Sequence, residues 1–140
     1  MSIALQFAQI TVLDPQEALA FYRDALGLQV VNDVESGGHH WITLGSPEAT
    51  SGQIVLSDPH AGRSQADGDA LEELVAKGAM SPIVFTSDDV DAAFERVRAS
   101  GAEVLQEPIE QPWGPRDCAF RDPSGNMVRI LQDTPQPQTV

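Results

Sequence analysis

The sequence predicts an α+β domain of two tandem βαβββ modules, and three observations carry that expectation. The chain repeats itself internally. Each copy reads strand, acidic cap, amphipathic helix and glycine stop. Three short strand candidates follow each helix. The repeat sets Ile10 to Val30 against Val84 to Val104, so that Asp14, Gly27 and Val30 fall on Asp88, Gly101 and Val104 at one constant spacing. The chain of 140 residues is the size of one domain, expected over 1–132. Module one takes 1–57, a polar linker 58–81 and module two 82–132, and a loose tail rich in proline and glutamine occupies 133–140.

In module one the first helix has a cap in Asp14, a favourable first residue in Pro15 and a capping-box partner in Glu17. Ala18, Phe21, Tyr22, Ala25 and Leu26 share its apolar face, and Gly27 supplies the left-handed stop. Strands are expected at Leu28 to Val34, His40 to Gly45 and Gln53 to Ser57, with a turn at Ser36, Gly37 and Gly38. The linker holds a short helix around Leu71, Leu74 and Val75. In module two Asp88 is expected to cap a helix striped by Val90, Ala93, Phe94 and Val97 and stopped by Gly101. Its strands are expected at Ala102 to Leu105, Asp117 to Arg121 and Met127 to Gln132, and Asp122 to Asn126 is a concentrated turn signal.

Alternation along each strand sorts side chains onto two faces. Ala8, Ile10, Val12, Ile42, Leu44, Ile54, Leu56, Ile83, Phe85, Val128 and Ile130 form the set expected beneath the helices. The opposite set holds Phe7, Gln9, Thr11, His39, Trp41, Thr43, Gln53, Val55, Ser57, Pro82, Val84, Thr86, Met127, Arg129 and Leu131. For Asp117 to Arg121 alternation does not choose a face. The opposite set mixes apolar walls with a few polar groups, the make-up of a ligand chamber, provided that the sheet curls around it. A solvent-facing sheet is the plainer alternative, and the grouping of Phe7, Trp41 and Met127 argues against it.

The formal charge of −13, from 21 acidic and 8 basic residues, repels nucleic-acid phosphates and anionic membrane surfaces. Neither nucleic acid nor membrane is therefore an expected partner. The start of the chain does not read as a signal peptide and no apolar run reaches membrane-spanning length, so a cytoplasmic location is expected. The lone Cys118 reads as a buried structural thiol.

Three segments carry a family resemblance. They are Val12 to Leu28, with Asp14, Phe21, Tyr22, Leu26 and Gly27; Pro112-Trp113-Gly114 with Arg116; and Phe120 to Asn126, with Asp122, Pro123 and Gly125. In this order and spacing the chain resembles the vicinal oxygen chelate superfamily, which includes glyoxalase I, bleomycin resistance proteins and extradiol dioxygenases. The resemblance implies paired βαβββ units, a curved mixed sheet around a pocket, and a homodimer. Metal-using members place ligands on the first and last strand of each module. Carried over, those positions are Phe7, Val55, Pro82 and Arg129, none of which offers a histidine or carboxylate donor. The resemblance thus implies a member without the usual metal, and no cofactor is expected.

The residues expected to contact a ligand are Phe7, Gln9, Trp41, Val55, Trp113, Arg116 and Arg129. Trp113 suits stacking on a planar ligand and Arg116 suits a carboxylate or phosphate, against the plainer reading of a tryptophan packed on its own loop and an arginine paired to surface acids. Arg129 either holds an anionic ligand group or pairs with an acid of the chain. The leading expectation is a small-molecule binder for an aromatic or anionic ligand, like the antibiotic-sequestering members that the resemblance suggests. The alternative is a metal-dependent lyase, isomerase or dioxygenase with a relocated site, holding one divalent metal ion through His39, His60 and a carboxylate. Metal-free acid–base chemistry at Asp117 or His39 is a further possibility, although His39, His40 and His60 read more simply as surface or turn histidines.

Overall fold

The computed structural model describes residues 1–48 and 52–133, so the expected tail beyond Asp133 lies outside the described residues. Module one runs β1 (Phe7–Thr11), α1 (Pro15–Leu19, continued as a π-helix over Ala20–Ala25), β2 (Gln29–Ser36), β3 (His39–Gly45) and β4 (Gln53–Ser57). The helix α2 (Gln65–Ala76) follows, longer than the short helix expected there. Module two runs β5 (Ile83–Ser87), α3 (Val90–Ala99), β6 (Glu103–Glu110), β7 (Arg116–Arg121) and β8 (Met127–Gln132). Each module forms its own four-stranded mixed sheet, ordered β1-β4-β3-β2 and β5-β8-β7-β6. The pairs β1–β4 and β5–β8 are parallel and the others antiparallel.

The internal repeat extends to irregularities. A break in strand register falls between Val30 and Asn32 in module one and between Val104 and Gln106 in module two, at the repeat's own spacing. Gly27 and Gly101 both take the left-handed conformation, at φ 83° and 92°. Asp14 caps α1 as expected, accepting from the amides of Gln16 and Glu17. The cap of α3 differs from expectation, because Asp89 accepts from the Ala92 amide and Asp88 stays outside. The first helix therefore has one more residue than the second between its cap and its glycine stop. The π-helical stretch absorbs it, with Leu26 donating to the Phe21 carbonyl five residues back at 2.9 Å.

One apolar core serves both modules. It gathers Ile42, Leu44, Ile54 and Leu56 from sheet one, Cys118, Phe120, Val128 and Ile130 from sheet two, and Phe21, Tyr22, Phe94 and Val97 from the helices. Alternation placed Ile42, Leu44, Ile54, Leu56, Val128 and Ile130 correctly but Ala8, which is exposed, wrongly; it left β7 open, and the buried pair Cys118 and Phe120 settles that strand's parity. Polar ties close the junction. The Leu13 amide donates to Ser124 Oγ at 2.8 Å, Asn126 Nδ2 donates to the Thr11 carbonyl at 2.9 Å, and the Tyr22 hydroxyl donates to Asp122. The helix-bearing faces of both sheets meet in this core. Their opposite faces consequently point away from each other, outward on two sides of the molecule.

Candidate functional site

On the outer face of sheet one, strand register sets side chains in rows. Gln9, Val55 and Thr43 stand side by side across β1, β4 and β3, and Thr11, Ser57 and Trp41 form the next row. Phe7 lies two residues back from Gln9 on the same face and is exposed. Val55 is only 5% exposed yet lies outside the shared core cluster, so it forms the floor of this second face. Phe7, Gln9, Trp41 and Val55 are thus brought together as alternation predicts.

Arg129 stands on the outer face of sheet two, in a row with Val84, Ala119 and Gln106. Its Nη1 donates to Asp117 Oδ2 at 3.0 Å and to Gln106 Oε1 at 3.2 Å. Asp117 is 3% exposed, and its Oδ1 accepts from Gln106 Nε2 and Gln111 Nε2, each at 2.8 Å. Four polar side chains thereby form one network around a buried carboxylate, and the guanidinium retains partial exposure. Sequence reasoning missed Gln106 and Gln111. The signal for Asp117 was present, since the apolar residues on either side of Ala119 turn Asp117 to the outer face.

The other two expected contacts sit apart from these faces' centres. Trp113 is 80% exposed in the loop before β7. Arg116 makes a forked ion pair with Asp91 at 2.8 and 3.0 Å, so its donors meet an acid of the chain, the plainer of its two readings. Because the outer faces diverge, one chain by itself does not enclose the expected chamber between Phe7 and Arg129. The cleft between the modules, about 830 Å³, is instead bounded by core-side residues such as Leu44, Ile54, Phe85, Ala93 and Arg96.

Among the described histidines, His39 Nδ1 donates to Asp58 Oδ2 at 2.7 Å and its ring meets Trp41 edge-on at 6.2 Å. Although part burial works to raise it, the hydrogen bonds from His39 and the His60 amide hold the Asp58 carboxyl below its ordinary range. His40 leans on Asp33, whose hydrogen bond holds the imidazole above its usual pKa. His60 Nε2 meets Asp69 at 2.8 Å. Burial, with Asp117 beside it, pushes the Cys118 thiol up to about 11, which makes it a poor nucleophile at neutral pH.

The positions onto which the resemblance carries the metal ligands offer no usual donor. Phe7 and Val55 on sheet one, Arg129 on β8 and Pro82 just ahead of β5 supply two hydrocarbon side chains, a cation and a proline ring. These four do not fit a divalent cation.

Duplicated βαβββ modules of this topology, with helices inside and mixed sheet faces outside, define a class of paired-module proteins. The chain belongs to the glyoxalase/bleomycin resistance protein/dioxygenase superfamily, whose family model matches residues 4–130. It is 30% identical to the uncharacterised protein YurT of Bacillus subtilis (strain 168) over 124 residues, 88% of this chain and 94% of YurT. Among solved structures it is similar to UcmS2, at 30% identity and a TM-score of 0.84 over 95% of this chain and 100% of that one. It is also similar to TnmS3, an antibiotic binding protein from Streptomyces sp. CB03234, at 25% identity and a TM-score of 0.74 over 96% of this chain and 99% of that one. Among the described residues, no helix is long and apolar enough to cross a membrane.

Proposed function

We propose that this protein binds a small aromatic or anionic molecule without a metal, as a homodimer whose chambers are closed by sheet faces from two chains. The observation that carries the reading is the pair of outward, mixed-polarity faces. One holds Phe7, Gln9, Trp41 and Val55, and the other holds Arg129 within its Asp117 and Gln106 network. Such a face suits a ligand only when something covers it. Phe7 (47% exposed), Val84 (51%), Ile109 (47%) and Trp113 (80%) are apolar area that a second copy would bury. Similarity to an antibiotic binding protein supports a small organic ligand. The unsuitable donors at Phe7, Val55, Pro82 and Arg129 support binding without metal.

The test is a tryptophan-fluorescence titration with planar polycyclic antibiotics, before and after chelator treatment, alongside sedimentation analysis. A dimer whose saturable quenching survives chelation and is strongly reduced in Trp41→Phe is expected. A monomer, or a response abolished by chelator, would overturn the reading.

A second reading is favoured by one observation. His39 is oriented by Asp58, the base-and-orienter arrangement of metal-free acid–base catalysis. Turnover of a ligand found in the titration, lost in His39→Gln with affinity unchanged, would establish it.

A further inference from the structure

Away from both sheet faces, the loop after β4 and the helix α2 bring together three donors that neither the fold nor the proposed ligand site uses. His60 Nε2, an Asp69 carboxylate oxygen and a Glu72 carboxylate oxygen all lie within 4.8 Å of one another. Asp69 and Glu72 are three residues apart on α2 and so share one helix face. His60 comes from the preceding loop, where its amide donates to Asp58 Oδ1 at 2.9 Å and its ring position is set from below.

What sets that position is Gly68. This glycine lies inside α2 and is buried, although glycine in a helix interior costs about 1 kcal/mol relative to alanine. A Cβ on Gly68 would collide with the His60 ring. The glycine therefore leaves a seat on the helix backbone in which the imidazole lies, with Nε2 turned toward Asp69. Gln65 Nε2 donates to the same Asp69 oxygen at 2.9 Å. Arg63, which also lines the adjoining cavity, turns its Nη1 to the carbonyls of Pro59 and Ala61.

From this we infer that His60, Asp69 and Glu72 form a site for a first-row divalent cation, Zn²⁺ or Mn²⁺, that clips the loop after β4 onto α2. One imidazole and two carboxylates are a borderline donor set suited to such ions. Binding moves the Nε2 proton to Nδ1 or to solvent and replaces the histidine–aspartate hydrogen bond with two bonds to the ion. Three protein donors leave the remaining coordination positions to water, on the side of a cavity of about 500 Å³ that also holds His39 and Asp58. The site is separate from the sheet faces, so ligand binding there and cation binding here fail independently.

The metal-free full-length chain is titrated with Zn²⁺ and with Mn²⁺ by calorimetry, and the imidazole nitrogens are followed by NMR. One saturable equivalent is expected, with the His60 Nε2 resonance moving and that of His40 staying. Both Glu72→Gln and His60→Gln should weaken binding by about tenfold or more, the least that even outer-shell partners of a metal ligand are worth. Glu73→Gln, on another side of α2, should leave it unchanged. Glu72 and Glu73 are exposed, so these variants keep the fold. Binding that is unsaturable, that moves His40, or that survives Glu72→Gln would overturn the site.

Discussion

The Tyr22 hydroxyl donates a 2.6 Å hydrogen bond to Asp122 Oδ2, joining the first helix to the β7–β8 turn across 100 residues of sequence. Tyr22 is fully buried, and Asp122 Oδ1 accepts in turn from the amides of Ser124, Gly125 and Asn126. One carboxylate thus shapes the turn and anchors the opposite module. Replacing Tyr22 by Phe removes a hydrogen bond to a charged group and should cost about 1.5–3 kcal/mol. Asp122→Ala, which also strips the turn amides, should cost more. Urea unfolding of both variants measures the difference, and a Tyr22→Phe loss below about 0.5 kcal/mol would show the contact to be idle.

The same pair sets an alkaline limit. Burial first, then the negative Asp122 and its hydrogen bond, raise the Tyr22 phenol far above its ordinary range. The unfolded phenol titrates near 10. A raised folded pKa means that this stability is whole below about pH 10 and is lost as the pH climbs beyond. Tyr22 is the chain's one tyrosine, so tyrosinate absorbance should appear only together with unfolding. A tyrosinate signal near pH 10 in the folded protein contradicts the burial argument.

Arg129→Met should leave Asp117 with its two glutamine donors but no cation. Because the guanidinium keeps partial exposure, a loss of about 1–2 kcal/mol is expected. Asp117→Asn in the Arg129→Met background should cost less than the same change in the wild type. A double-mutant cycle reads this, and additive losses would mean that the two groups are not coupled.

Gly125→Ala should be among the more damaging single changes. Gly125 has φ 115°, and an added Cβ would come within 2.6 Å of the Val75 carbonyl at the end of α2. Backbone strain and the collision together should cost more than 2 kcal/mol, an approximate figure for such sites. Gly37→Ala, left-handed but open to solvent, should cost only about 1 kcal/mol. Equal melting temperatures for the two variants would deny the α2 contact.

Strand and helix order were legible because they are written in local chemistry: caps, glycine stops and alternation. Parity along β1, β4, β5 and β8 follows from residues such as Ile10, Leu56, Phe85 and Ile130 alone. The π-helical turn was not legible, since Ala20 to Ala25 carries no local signal and only the different cap positions of the two modules account for it. Alternation likewise says that Arg129 and Val55 avoid the helices, but not that their sheets face opposite ways, which depends on how the helices meet. The partner of Arg116 is Asp91, on a different element, and no spacing rule names it. The seat for His60 was not legible, since the helix expected around Leu71, Leu74 and Val75 did not reach Gly68.

The outward sheet faces have a consequence for how such a chain changes over generations. Each sheet's backbone stands between its outward-facing side chains and the shared interior. Gln9 or Thr43 can be exchanged without opening a hole beneath Tyr22 or Phe120. The chemistry of each outer face is therefore free to drift while the scaffold holds still, and on the proposed reading a few rows of side chains would reset which molecule is bound.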